Sequence, residues 1–259
     1  MSSVRKTSKA AAKATAKVPK ARPKAAPKRR AGTKTARPAP RKRANGKGVS
    51  RERLLDAGEQ LFSEIGYHGS SVRNIASAAG LPFGLANYYF GTKQELFRQV
   101  VARRAAEHTA AILGSMKDLL ERCGDRRPTA EELILAYLQP VVDKVMRGGL
   151  GWRIYMKLIG RSLNMDQSQP FLRPLVDLYD PVRKEFVRIA RFIFPDASED
   201  SMQWACYLLH SCLIHVVSDG GSIDRLSGGR QKSADLDTLL TYMAPLFGAG
   251  FDRVAQASR

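Results

Sequence analysis

Acidic residues are missing from the first 47 positions, and so are Leu, Ile, Phe, Tyr and Trp. Such a segment cannot bury enough apolar surface to offset chain entropy, which excludes a folded domain there. Cysteine is scarce: Cys123, Cys206 and Cys212 are too few for a disulfide scaffold. No uninterrupted apolar run approaches the ~18 residues of a membrane span. The longest apolar region, Trp204 to Val217, is broken by His210, Ser211 and His215. No secretory apolar stretch follows Met1, so a soluble, cytoplasmic protein without a membrane partner is expected. Gly-rich phosphate loops, paired acid–base carboxylates and a Ser/His/Asp order are also absent, which argues against an enzyme and against a cofactor.

What the first 47 positions do hold is charge. They contain 17 of the 43 Lys and Arg, leaving 26 basic against 24 acidic residues in the rest of the 259-residue chain. The net +19 therefore divides into a cationic arm and a nearly neutral body. Pro19, Pro23, Pro27, Pro38 and Pro40 interrupt any helix in the arm. As a flexible coil it would span roughly 40 Å. Its Lys/Ala/Pro composition is similar to histone-like tails, and its chemistry is sequence-independent phosphate binding by counterion release. A solubility tag, a membrane-surface patch and a later start near Val49 are competing readings of the same composition.

From Ser50 the pattern becomes helical, with Leu54, Gly58, Leu61, Phe62 and Ile65 on one stripe. Ser50 is the expected N-cap and Gly66 the expected stop. A second helix runs from Ser70/Ser71 to Ala79, and a third from Pro82 to about Tyr89. Thr92 caps a long helix to about Glu121, and Pro128 and Thr129 open the next, with a kink at Pro140. Further helices are expected at 151–164, 170–194 with an interruption near Pro181, 198–218 and 234–256. The segment 219–233 reads as a loop. No alternating run is long enough for a sheet, and the fold class is all-α.

Residues 72–89 fit a helix-turn-helix: Ala76 where the helices cross, Gly80 where the turn needs positive φ, and Ile75, Ala79, Leu81, Ala86 and Tyr89 on the shared apolar face. An ordinary helical corner shares that spacing, and the flanks separate the two. Leu54, the run from Gln60 to Tyr67, Ser70 to Ala76, Ala79 to Pro82, and Asn87-Tyr88-Tyr89-Phe90-Gly91-Thr92-Lys93 together resemble the N-terminal domain of TetR-family transcriptional regulators. The resemblance implies a homodimeric repressor, with an effector pocket and a dimer interface made largely by the last two helices. Pro82 and Asn87 depart from it, where the family often has Ser or Thr and Tyr. The 87–93 variant is similar to the PsrA-type, fatty-acid-responsive branch. So, more sparsely, are 128–133, 156–160 and 243–250.

Three parts follow: a disordered basic arm over 1–47, a helix-turn-helix domain over 48–93, and a helical effector-binding and dimerisation domain over 94–259. In the reader, the third helix has no charged residue, so an arginine–guanine fork cannot come from it. Phe83 and Gly84 suit thymine methyls and close backbone approach, and Asn87 suits a base or phosphate. Arg73 is the best charged candidate, and Ser71 offers an N-terminal amide to phosphate. The resemblance adds Tyr88, Tyr89 and Lys93 as phosphate contacts, with Tyr89 equally placed for the core. Positions 48–97 carry four basic and five acidic residues, so long-range attraction to DNA is expected from the arm.

In the larger domain, Tyr137, Met146, Trp152, Tyr155, Met156, Trp204 and Tyr207 are candidate pocket lining. Arg153, Lys157, Arg161 and His210 are candidate anchors for a fatty acid, acyl-CoA or aromatic acid. Cys206, His210, Cys212 and His215 do not converge from a single helix, so no metal site is expected. His68 and His108 are read as structural. The expected partners are double-stranded DNA, a second copy of the chain and a hydrophobic or amphipathic effector, with localisation on the nucleoid. A histone-like protein that coats DNA is the alternative.

Overall fold

A computed structural model describes residues 44–166, 168–218 and 220–257; the expectations for residues 1–43 lie outside these. Every regular element among the described residues is helical. They are α1 (Ala44–Gly69), α2 (Val72–Ala78), α3 (Phe83–Phe90), α4 (Lys93–Cys123), α5 (Ala130–Arg147), α6 (Leu150–Leu163), a 3₁₀ turn (Pro170–Leu172), α7 (Arg173–Ile193), α8 (Glu199–Ser218), α9 (Ser222–Leu226) and α10 (Leu236–Ala257). No helix of the described residues is long and apolar enough to cross a membrane.

Short-range chemistry sets most of these boundaries. The Thr92 hydroxyl accepts from the Glu95 amide at 3.1 Å and starts α4. Thr129 and Glu132 form a reciprocal capping box at the start of α5. The turn after α2 is a Schellman closure. Gly80, at φ 63°, donates to the Ser77 carbonyl, and Leu81 donates to the Ala76 carbonyl, both at 2.9 Å. The Arg53 guanidinium donates to the Ala79 carbonyl, tying that turn back to α1.

Four expectations are corrected. Helix α1 begins at Ala44, so Ser50 is an interior residue and not a cap; no proline between Pro40 and Ser50 stops the helix earlier. Gly66, at φ 76°, does break it, but Ile65 on the expected apolar stripe is 43% exposed because the neighbouring helices cover only the Leu54–Phe62 side. Helix α7 runs through Pro181 without interruption, and the loop 219–233 contains the one-turn helix α9.

The buried side chains form one core from Leu54 to Ala255. Helix α4 is the spine. Its first half, with Leu96, Phe97 and Val100, packs on α1, and its second half, with Ile112, Met116 and Leu119, packs among α5 and α7. Gly58 permits the α1–α4 approach, since a Cβ there would sit 3.1 Å from Val100 Cγ2. Helix α10 lies against α5 and α8, and α6 bridges α1 to α8.

Candidate nucleic-acid interface

Helices α2 and α3 divide cleanly between inside and outside. Ile75, Ala76, Ala86 and Phe90 are buried. Arg73, Phe83, Gly84, Asn87 and Tyr88 are exposed, with Phe83 at 45% and Tyr88 at 71%. Ser71 is spent as the cap of α2, its hydroxyl accepting from the Asn74 amide at 3.0 Å. A Cβ at Gly84 would meet nothing within 4 Å, so no packing inside the chain calls for glycine there.

Two of the residues expected at this face, Tyr89 and Lys93, are half-buried. Tyr89 lines an open cleft of about 500 Å³ between α1, α3 and α4, together with Arg51, Leu55, Gln99 and Arg103. The Lys93 ammonium sits 4.3 Å above the Tyr67 ring, and partial burial lowers its pKa. Tyr67 in turn stacks on Phe171 at 3.7 Å.

The negative balance of the reader is resolved by where its charges sit. Helices α2 and α3 contain no acidic residue. The carboxylates lie on α1 and α4, and four of the five are paired there: Glu52 with Arg51 at 3.2 Å, Asp56 with Arg103 at 2.7 Å, Glu95 with Arg98 at 2.6 Å, and Glu59 with both Arg103 and Arg104 at 3.3 Å, while Glu64 accepts from the Gln60 side-chain amide. Glu59 is only 3% exposed, and its burial raises its pKa despite the two guanidinium groups. Arg73 makes no ion pair among the described residues; its guanidinium lies over the Phe83 ring, 5.4 Å from the centroid. The outward face is thus locally positive although the module as a whole is not.

The expected effector residues fall into two groups. Tyr137, Trp152, Tyr155 and Met156 are buried, and the Tyr137 hydroxyl is 2.7 Å from His210 Nδ1. Met146 is half-buried. Trp204 and Tyr207, by contrast, are 65% and 61% exposed on α8, and Arg153, Lys157 and Arg161 are exposed on α6. Arg161 donates to the Glu64 carbonyl at 2.8 Å, at the end of α1. Burial lowers the His210 pKa to about 4, with the charge of Arg183 adding to it, and pushes the Cys206 thiol up to about 12. Among the described residues no three His, Cys, Asp or Glu side chains gather as metal ligands.

Sequence reasoning missed a polar chain inside this body. Tyr155 donates to the Val101 carbonyl at 2.9 Å, and the Tyr179 hydroxyl lies 2.7 Å from His108 Nδ1. Tyr155 Oη lies 3.4 Å from the Tyr179 hydroxyl, and the direction of donation along this chain follows the tautomer of the neutral imidazole, whose other nitrogen is Nε2. That Nε2 is buried without a hydrogen-bond partner among the described residues. The signal was present: Val101, Ala105, His108 and Ile112 recur at helical spacing on the buried stripe of α4.

Comparison with known proteins agrees with this geometry. Residues 54–100 match the family described as bacterial regulatory proteins, tetR family, and residues 135–250 match tetracyclin repressor-like, C-terminal domain. The HTH-type transcriptional repressor KstR2 of Rhodococcus jostii (strain RHA1) is 29% identical over 97 residues, which cover 38% of this chain and 46% of that protein. The HTH-type transcriptional regulator Mb3439c of Mycobacterium bovis is 32% identical over 108 residues, covering 40% and 57%. The chain thus spans about half the length of these curated relatives. In fold it is similar to the crystal structure of a TetR-like transcriptional regulator from Rhodococcus sp. RHA1, with a TM-score of 0.51 and 20% identity over 78% of this chain and 97% of that one.

Proposed function

The chain belongs to the TetR family of bacterial regulatory proteins, and on that premise we propose that it is a ligand-responsive, DNA-binding transcriptional repressor acting as a homodimer on a palindromic operator. The observation that carries this reading is the outward face of α2 and α3. It has no acidic residue, an arginine free of ion pairs, and exposed Phe83, Gly84, Asn87 and Tyr88 on two helices locked by a Schellman turn. A second helix presented in this way suits the major groove.

Residues 48–93 read DNA, and 94–259 bind effector and dimerise. Exposed Trp204, Tyr207 and Leu208 on α8, with Tyr242 and Leu246 on α10, support a second copy of the chain as the partner that covers them. The effector is a hydrophobic or amphipathic acid or ester, of the fatty-acid, acyl-CoA or aromatic-acid class. The buried His108 Nε2, without a hydrogen-bond partner among the described residues, supports a polar atom on it. Effector binding selects a spacing of the two readers that no longer fits the operator, with α4 as the connector, because it packs on α1 at one end and on α5 and α7 at the other. The arm of residues 1–47 adds sequence-independent grip on the nucleoid.

Selection of bound duplex from random sequence, at two salt concentrations and with or without residues 1–47, tests the reading. One enriched palindrome is expected from both proteins, with a shallower salt dependence once the arm is gone. Enrichment of no sequence would instead favour a protein that coats DNA. A thermal-shift screen of acyl and aromatic acids tests the effector class.

A further inference from the structure

We propose that Arg73 and Phe83 form one reading unit, which recognises a thymine and a neighbouring guanine together in the major groove. This rests on the DNA-binding reading above and assigns the base chemistry that the uncharged α3 leaves open.

Three observations converge on the pair. First, Arg73 differs from the arginines around it. Arg51, Arg98, Arg103 and Arg104 are each held by a carboxylate, and Arg53 by the Ala79 carbonyl, whereas Arg73 makes neither an ion pair nor a hydrogen bond among the described residues. Its contact is the ring of Phe83, 5.4 Å away. A cation–π contact at this distance takes up no hydrogen bond, so the guanidinium N–H groups stay available. Those groups are the ones that fork onto guanine O6 and N7.

Second, Phe83 is a large apolar side chain left 45% exposed at the first turn of α3, where it adds little to the core. The ring lies beside the Arg73 guanidinium, and its exposed part offers apolar contact to a C5-methyl group. Third, Gly84 follows it in open space, with nothing within 4 Å of the point where a Cβ would stand, so the backbone of this turn can come close to the base edges. Two side chains on different helices, in contact through ring and guanidinium, reach adjacent bases and not the same one.

The test starts from the duplex that the full-length protein selects from random sequence. Replacing thymine by deoxyuridine removes the C5-methyl and nothing else. At the step read by this unit it should weaken binding roughly fourfold, the worth of one buried methyl. Phe83→Ala should bind the thymine and deoxyuridine duplexes equally. Arg73→Lys should lose on the order of tenfold of its preference for the neighbouring guanine while keeping the salt dependence, because the charge remains and the fork does not. The double variant should fall short of the sum of the two single losses. Both residues are exposed, and an unchanged melting temperature confirms that the variants fold. If a sequence is enriched but deoxyuridine is neutral at every thymine, or if Phe83→Ala keeps the methyl preference, the inference is overturned and the regulator reading stands. If no sequence is enriched, both fall.

Discussion

Acid should destabilise this protein well before its carboxylates titrate, because two histidines are held neutral inside it. His108 on α4 is 2% exposed, and burial, helped by the nearby charge of Lys144 and opposed by Glu107, lowers its pKa to about 4. It meets Tyr179 from α7 and Trp152 from α6. His210 on α8, bonded to Tyr137 of α5 and near Arg183, is lowered to about 4 as well. Between that value and the ordinary histidine value near 6.5, the unfolded chain binds more protons than the folded one. The contribution of each histidine is therefore complete above about pH 7 and is lost as pH falls toward 4. From pH 8 to pH 5 the loss is about 2 kcal/mol for each, or about 4 kcal/mol for the pair. Glu95 and Glu132, lowered to about 2, lose their contribution only below the ordinary carboxylate range, and the raised Glu59 works in the opposite direction. Urea unfolding at fixed protein concentration, followed by the fluorescence of the buried Trp152, measures the slope. His108→Gln and His210→Gln should each remove about half of it. A wild-type stability that is flat from pH 8 to pH 5, or variants that keep the full slope, would refute the reasoning.

Other predictions follow from single sites. Thr129→Ala removes the capping box of α5 and should cost about 1 kcal/mol in urea unfolding, with no change in operator preference. Gly84→Ala should raise stability by roughly 0.5–1 kcal/mol, since nothing crowds the new methyl, yet weaken operator binding in a gel-shift titration. Leu246→Glu on α10 should shift the protein from dimer to monomer in sedimentation while leaving its helical content unchanged, because Leu246 is 70% exposed.

The α2–Gly80–α3 unit was legible because everything that makes it lies within a few residues: the Ser71 cap, Gly80 in the left-handed region, and Ile75 and Ala86 on facing sides. The interior polar chain was less so. His108 and Tyr179 are 71 positions apart, and neither position announces the other. Trp204 and Tyr207 have the composition of pocket lining, yet α8 turns them outward, because hydrophobicity says that a side chain seeks cover and not which surface provides it.

The sequence alone determined the helical class, the helix-turn-helix and most helix starts, since caps, glycine turns and apolar periodicity act through local sterics and hydrogen bonds. It also determined that the body carries almost no net charge. Only the tertiary structure decided where that charge lies. Pairing α1 against α4 draws Glu52, Asp56 and Glu59 to Arg103 and Arg104, because a buried group such as Glu59 needs partners. Arg73 is left without one, beside Phe83, on the face turned outward.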